Sequence, residues 1–249
     1  ASGEAGGGTV LLGGGAHGEG SLAHARRTRV GNATIAADAT TSGNGGNIVI
    51  WSDKNTFFDG NLSAQGGSTG GNGGNIETSG GSVSLGVHMH VDALAANGET
   101  GNGLLDPTDI LITSNNSQPA CCTTTTCLTP SDIVNGTSAA NFQESATHSL
   151  VVDTSSDIDY SSNNSLTLNA GTFLTVNSQI ENSGSGAINL KAAGGNLTIN
   201  APISTLGSNG LDSFEAGDSI NIQAPIDAGA DELLLRAGEA TTDGNPGAI

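Results

Sequence analysis

In the C-terminal third of the chain apolar and polar residues alternate over short runs, and the runs recur. Phe173-Leu-Thr-Val-Asn-Ser-Gln-Ile180, Asn196-Leu-Thr-Ile-Asn-Ala-Pro-Ile203 and Ser219-Ile-Asn-Ile-Gln-Ala-Pro-Ile226 are spaced by 23 residues. Gly171, Gly194 and Gly217 keep the same 23-residue spacing, and Gly238 follows after 21. Strict alternation is the signature of a strand with one buried face. The repeats therefore predict three inward ladders: Leu174, Leu197 and Ile220; Val176, Ile199 and Ile222; and Ile180, Ile203 and Ile226. Thr175, Thr198 and Asn221 form an outward polar row. One such coil cannot bury its own apolar side, so successive coils have to stack, about 4.8 Å apart, with their strands parallel.

A second array lies near the N-terminus. Gly43-Asn-Gly-Gly-Asn47 returns 28 residues later as Gly71-Asn-Gly-Gly-Asn75. A strand follows each copy, Ile48-Val-Ile-Trp51 and Ile76-Glu-Thr78, and a β-like run precedes each, Ala33-Thr-Ile-Ala-Ala37 and Asn61-Leu-Ser-Ala64. Met89-His-Val-Asp-Ala93 continues the pattern. Gly and Asn suit tight coil corners because both tolerate left-handed backbone. Between the arrays the period fails. The expectation is an all-β fold, a right-handed parallel β-helix, with N-terminal coils over 1–113, a Cys-containing insertion over 114–150 and C-terminal coils of about 23 residues over 151–249. Within the insertion, Asp132 to Asn141 predicts a short helix with Ser131 as its N-cap.

Composition agrees. Only 12% of residues are charged, Gly contributes 39, and Phe, Trp and Tyr number 5, 1 and 1. A broad globular core would be hard to fill with so few large side chains, whereas a narrow solenoid core of Ile, Leu, Val and Ala needs none. The formal charge is −18, and Arg26, Arg27, Arg29, Lys54, Lys191 and Arg236 are the only basic residues apart from histidine. Such a balance repels nucleic acid and anionic lipid, so no nucleic-acid partner is expected. No apolar run is long enough for a membrane span and no export signal is visible at Ala1.

Taken in order, several segments resemble a known family. Gly7-Gly-Thr-Val-Leu-Leu-Gly-Gly14, Arg27-Thr-Arg-Val-Gly31 and Ala33-Thr-Ile-Ala-Ala-Asp-Ala39 lead into Gly43-Asn-Gly-Gly-Asn-Ile-Val-Ile-Trp-Ser-Asp53. Phe58-Asp-Gly-Asn-Leu-Ser-Ala-Gln-Gly-Gly67, Gly71-Asn-Gly-Gly-Asn-Ile-Glu-Thr-Ser-Gly80 and Leu104-Leu-Asp-Pro-Thr-Asp-Ile110 follow. The series resembles the shaft of filamentous-haemagglutinin-like exoproteins, the passengers of two-partner secretion; residues 5–113 carry the close match and 160–238 a looser one. The resemblance implies export through an outer-membrane transporter, a β-helix at the cell surface or outside the cell, and work in adhesion or biofilm against a host or neighbouring-cell receptor or glycan. Some members acquire haem. The family's secretion domain is not visible, so Ala1 is expected to lie within a shaft coil of something longer. End-to-end stacking of copies into a head-to-tail homopolymer is a further expectation, because open β-helix ends present unpaired strand edges.

Hidden chemistry is sparse. Cys121, Cys122 and Cys127 are disulfide candidates, either as a local bridge or an intermolecular one; no histidine lies at the spacing of a zinc finger. His88 and His90, two apart on a strand, would share a face and suit a metal, but solvated histidines explain them as well. Asp153, Asp157 and Asp159 near Tyr160, and Asp106 and Asp109 around Pro107, keep a glycan-active β-helix enzyme or a Ca²⁺ site in view, while Asp106-Pro107 also reads as a turn. Asn-X-Ser/Thr triplets begin at Asn32, Asn61, Asn115, Asn135, Asn163 and Asn196. No cofactor is expected, and a structural, adhesive fibre segment is preferred over an enzyme.

Overall fold

The computed structural model describes residues 1–114, 124–207, 211–230 and 232–238. Nearly all regular structure is strand, every described strand pairing is parallel, and the sheets stack as a β-solenoid. The chain divides into two compact units, one built mainly from residues 1–107 and the other mainly from 108–249.

In the first unit the strands are β1 (Thr9–Leu12), β2 (Arg27–Ala36), β3 (Asn47–Ile50), β4 (Asn55–Ser63), β5 (Asn75–Ser79), β6 (Ser82–Leu85), β7 (His90–Asp92) and β8 (Asn102–Asp106). One sheet runs β1-β3-β5-β8; the other runs β2-β4-β6, with β7 also on β4. Inward residues close on one another: Ile48, Ile50, Phe58, Leu62 and Ile76 are buried with Ala37, Ala64 and Ala93. Each fully buried Ile, Leu or Phe contributes about 1.5–3 kcal/mol of hydrophobic stabilisation. The runs around Ala33–Ala37 and Asn61–Ala64 are the second halves of longer strands, bent where Asn32 takes φ 50° in a bulge opposite Gly60 at φ 141°.

The Gly-Asn-Gly-Gly-Asn motif makes the corner ahead of the first sheet's strands. Gly46, Gly74 and Gly101 donate their N–H groups to Ala37, Ala64 and Ala93 carbonyls at 2.7, 2.7 and 2.8 Å. The corners stack so closely that a Cβ on Gly74 would lie 2.0 Å from the Gly46 carbonyl oxygen. Asn47, Asn75 and Asn102 then form a ladder of side-chain amides, with Nδ2–Oδ1 distances of 3.0 and 2.9 Å at chain separations of 28 and 27 residues.

The next elements are β9 (Asp109–Ile112), β10 (Thr126–Leu128), α1 (Pro130–Ala139) and β11 (Asn141–Ala146). The second unit continues with β12 (Ser149–Val152), β13 (Ile158–Tyr160), β14 (Leu166–Ala170), β15 (Phe173–Val176), β16 (Ile180–Asn182), β17 (Ile188–Ala192), β18 (Leu197–Ile199), β19 (Ile203–Thr205), β20 (Leu211–Ala216), β21 (Ile220–Ile222), β22 (Ile226–Asp227) and β23 (Glu232–Ala237). Its three sheets follow the orders β11-β14-β17-β20-β23, β10-β9-β12-β15-β18-β21 and β13-β16-β19-β22. Leu174, Leu197 and Ile220 stand opposite one another and are buried, as are Val176 and Ile199. Ile180 and Ile203 are buried in a third row. The ends of two ladders depart from the all-inward reading: Ile222 is 38% exposed and Ile226 half-buried, β21 and β22 being the last strands of their sheets among the described residues.

The interruption is shorter than its predicted span of 114–150. The coil path resumes at Asn141: β11 alternates with Phe142, Glu144 and Ala146 inward, and β12 pairs in register with both β9 and β15. A glutamate at an inward position hides that strand from a search for apolar alternation. The helix is also shifted from its predicted 132–141. It starts at Pro130, and Thr129 rather than Ser131 is the cap: Asp132 Oδ2 accepts from the Thr129 N–H at 2.7 Å and its hydroxyl at 2.8 Å. This is a capping box with proline in the first helical position, where its missing N–H costs nothing.

Candidate functional site

Side chains on the outer faces carry the accessible chemistry, and the sequence candidates distribute among them. Cys121, Cys122 and Asn115 lie outside the described residues; Cys127 is half-buried on β10. His88 and His90 do not share a strand face. His88 sits in the turn before β7, its N–H 2.9 Å and its Nδ1 3.2 Å from Asp59 Oδ1, while exposed His90 opens β7. No group of three or more His, Cys, Asp or Glu side chains suited to a metal occurs among the described residues. Asp153, Asp157 and Asp159 are exposed, but Tyr160 turns inward. Burial, then the charge of Asp212, pushes the Tyr160 phenol well up, and its hydroxyl has no hydrogen-bond partner among the described residues. Asn32 and Asn163 are exposed, and Asn163 accepts from the Ser185 hydroxyl at 2.9 Å.

Asp106 and Asp109 end up with different histidines. Asp109 Oδ1 lies 2.7 Å from His148 Nδ1 and also accepts from Ser149. Burial would raise the Asp109 carboxyl, but the Ser149 and His148 contacts outweigh it and hold it below the usual range. Asp106 Oδ2 is 3.1 Å from His17 Nδ1, on a segment that sequence reasoning passed over. Residues 13–26 form a strap over the outward side of β3 and β5. Trp51 packs against it: Cβ atoms on Gly14 or Gly18 would fall 2.6 and 2.4 Å from its ring, and His24 lies 4.4 Å from it, centroid to centroid, with the rings tilted at 58°. His17, at φ 52°, donates its N–H to Glu77 Oε1 at 2.8 Å. The Asp106 hydrogen bond chiefly raises the His17 pKa, burial opposes it, and the charges of Glu77, Asp106 and Glu19 add to the rise.

Two further features were invisible in the sequence. On β11, Glu144 is completely buried and both carboxyl oxygens lack partners among the described residues; burial first, then Asp132, drives its pKa well above the carboxylate range. Asp212 is equally buried but bonded, accepting from the Ile188 N–H at 2.8 Å and from the Thr205 hydroxyl. The basic residues also divide. Lys191 lies 3.2 Å and Arg236 4.0 Å from Glu215, whereas Arg26, Arg27, Arg29 and Lys54 form no ion pair among the described residues. The guanidinium of Arg29 rests 4.1 Å from the centre of the Phe57 ring.

No helix among the described residues is long and apolar enough to cross a membrane. No family model matches the chain, and no curated protein matches it.

Proposed function

We propose that this chain is a shaft segment of a filamentous-haemagglutinin-like exoprotein, a secreted or cell-surface fibre that carries adhesive surfaces. The observation that carries the reading is the corner stack. The ordered Gly-Asn-Gly-Gly-Asn series on which the family resemblance rests occupies successive coil corners, where backbone meets backbone and only glycine fits. A motif that serves coil stacking is a property of the shaft itself, and a stiff stack of coils suits a display role. The same reading assigns export to an outer-membrane two-partner transporter and a covalent link among Cys121, Cys122 and Cys127, which an oxidising exterior favours. It also extends to end-to-end assembly, in which the strand stacking on β21 covers Ile222.

The test is secretion and attachment. The chain fused behind a two-partner secretion domain should reach the cell surface only when the cognate transporter is present, and cells displaying it should attach to host-cell layers or to one another. Transporter-independent export, or display without any gain in attachment, overturns the reading. Electron microscopy of the purified chain tests the assembly: fibres longer than one chain support stacking, and dispersed single particles at high concentration rule it out.

A further inference from the structure

Six asparagines are followed directly by glycine: Asn44, Asn72, Asn97, Asn102, Asn135 and Asn209. This dipeptide carries its own chemistry. The glycine backbone nitrogen attacks the asparagine side-chain carbonyl, and the missing Cβ leaves that nitrogen approachable and the backbone free to turn towards it. Asn209-Gly210 lies outside the described residues. The other five are alike as dipeptides, and the fold separates them.

Four are held. Gly45 donates its N–H to the Asn72 carbonyl at 2.8 Å, and Gly73 to the Glu99 carbonyl at 2.9 Å. The side chains of these two corners are fixed as well: Asn44 Oδ1 accepts from the Asn72 N–H at 2.9 Å, and Asn72 Oδ1 from the Glu99 N–H at 3.0 Å. Asn102-Gly103 opens β8, with Gly103 buried and the Asn102 amide laddered onto Asn75 at 2.9 Å. Asn135-Gly136 lies inside α1, where Gly136 is buried and the helical backbone engages its N–H.

Asn97-Gly98 differs in each respect. It occupies a turn in which Asn97, Gly98 and Glu99 are all exposed. One coil on, Asn141 donates to the Gly101 and Thr100 carbonyls, each at 2.9 Å, but the Gly98 N–H has no partner among the described residues. The Asn97 side chain is tethered only through Nδ2, which donates to the Ser68 carbonyl at 2.8 Å; its Oδ1 accepts nothing among the described residues.

We propose that Asn97-Gly98 is a self-modifying site, at which the asparagine deamidates through a cyclic imide while the pairs at 44, 72, 102 and 135 persist. The Gly98 nitrogen forms a bond to Asn97 Cγ, the Cγ–Nδ2 bond breaks, and Nδ2 leaves as ammonia with the proton that the Gly98 amide gives up. Water then opens the imide. Breaking the new Cγ–N bond yields aspartate; breaking the original peptide C–N bond yields isoaspartate, with the main chain rerouted through the side chain. The inference goes beyond the adhesive reading and requires only the fold.

Either product costs this corner its hold. Aspartate sets a carboxylate where Nδ2 donated to the Ser68 carbonyl, so two acceptors face each other. Isoaspartate also adds a methylene to the main chain beside Gly98, where a Cβ would already lie 2.2 Å from the Gly71 carbonyl oxygen. The modification therefore loosens residues 94–99 as the protein ages.

The experiment ages the purified whole chain at mildly alkaline pH and follows the Asn-Gly pairs by peptide mapping and mass spectrometry, with isoaspartate labelled by an isoaspartyl methyltransferase. Asn97 should convert about tenfold faster or more than Asn44, Asn72, Asn102 and Asn135, whose glycine N–H groups react only when the local structure opens. In urea the five should convert within about threefold of one another, because the protection is gone. Asn97→Gln, which would have to close a larger and slower-forming ring, should abolish the fast phase of ammonia release. Aged chains, and unaged Asn97→Asp, should be cut several-fold faster within residues 94–101 by a non-specific protease. Native Asn97 converting no faster than Asn44 or Asn72 overturns the site. So does a preference for Asn97 that survives in urea, since the neighbours in sequence and not the fold would then set it. Aged chains cut at the parent's rate overturn the loosening.

Discussion

The two units solve opposite halves of one electrostatic problem. In the first, the buried polar groups Ser52, Thr56, Glu77 and Ser79 are hydrogen-bonded: Thr56 Oγ1 lies 2.9 Å from the Ser52 hydroxyl and donates to the Ser79 carbonyl at 2.7 Å, while Glu77 accepts from Ser79 and from His17. Its outer cations Arg26, Arg27, Arg29 and Lys54 form no ion pair among the described residues. In the second, the outer cations Lys191 and Arg236 lie against Glu215, and the groups without partners among the described residues are inside: the Glu144 carboxyl, the Tyr160 hydroxyl and Asn169 Oδ1. The corners differ too. First-unit corners stack glycine on glycine, with coils of 28 and 27 residues, whereas the second unit runs at 23 where Asn200 Nδ2 meets Asn177 Oδ1. Coil stacking constrains the inside of each unit tightly and the outside loosely, so a misfit inside is a cost to stability and an unpaired charge outside is available for binding.

The corner contrast gives the largest expected effect. Gly74→Ala puts a methyl 2.0 Å from the Gly46 carbonyl oxygen in a rigid backbone stack and should destabilise the first unit by about 3 kcal/mol or more. Gly194→Ala, whose Cβ would meet the Gly171 carbonyl oxygen at 2.9 Å, should cost about 1 kcal/mol. Urea melts of the two variants check the difference, and equal midpoints would remove the distinction between the corners.

Glu144 sharpens the interior half. A buried carboxyl with a raised pKa keeps its proton in the folded chain while the unfolded chain loses it near pH 4.3. Folded chains therefore bind more protons over that window, and stability falls as pH rises from the unfolded pKa through the folded one. Glu144→Leu should stabilise the second unit by about 1–3 kcal/mol at pH 8 and flatten the pH slope of its melting temperature. A variant less stable than the parent at pH 8 would mean that the carboxyl has a partner in solution.

The helical cap is a smaller test. Thr129→Ala should cost about 1 kcal/mol and lower the protection of α1 amides in hydrogen exchange, while Ser131→Ala should change neither.

The smallest effects concern two of the histidine–aspartate pairs, His17–Asp106 and His148–Asp109. In the first unit the His17 pKa is raised, so what its pairing contributes is fully present below about pH 6.5 and is lost as pH rises through the folded value. Asp106→Asn should bring the His17 NMR titration back down. In the second unit the Asp109 pKa is lowered; its contribution is present above about pH 3.9 and disappears as pH falls through the folded value. Asp109→Asn should cost less than about 1 kcal/mol at pH 7 and nothing at pH 2, read by thermal melts.

Strand positions were legible wherever inward residues were apolar. Leu174, Leu197 and Ile220 stand where the 23-residue spacing puts them, and the Gly-Asn motifs mark true corners. The reading broke at Glu144, because a polar residue in an inward slot interrupts the alternation that announces a strand. It broke at Thr129 as well, since Ser131 offers the same hydroxyl and only the path of the backbone decides which one reaches the helix end. His88 was placed on a strand with His90 because two residues of spacing cannot tell a strand from the turn before it.

Alternation and repeat length by themselves determined that this protein is a stack of parallel coils, which residues line the interior, and where the corners fall. These are local facts repeated along the chain: a strand's two faces follow from its period of two, and a constant coil length fixes each residue's neighbour one coil away. Only the tertiary structure decided that His17 meets Asp106 across 89 residues, that Glu144 on β11 lies completely buried, and that Lys54, just before β4, comes beside Arg26, just before β2. Outward neighbours depend on the strap, the bulge and α1, which obey no period, so their meetings are set by packing rather than by spacing.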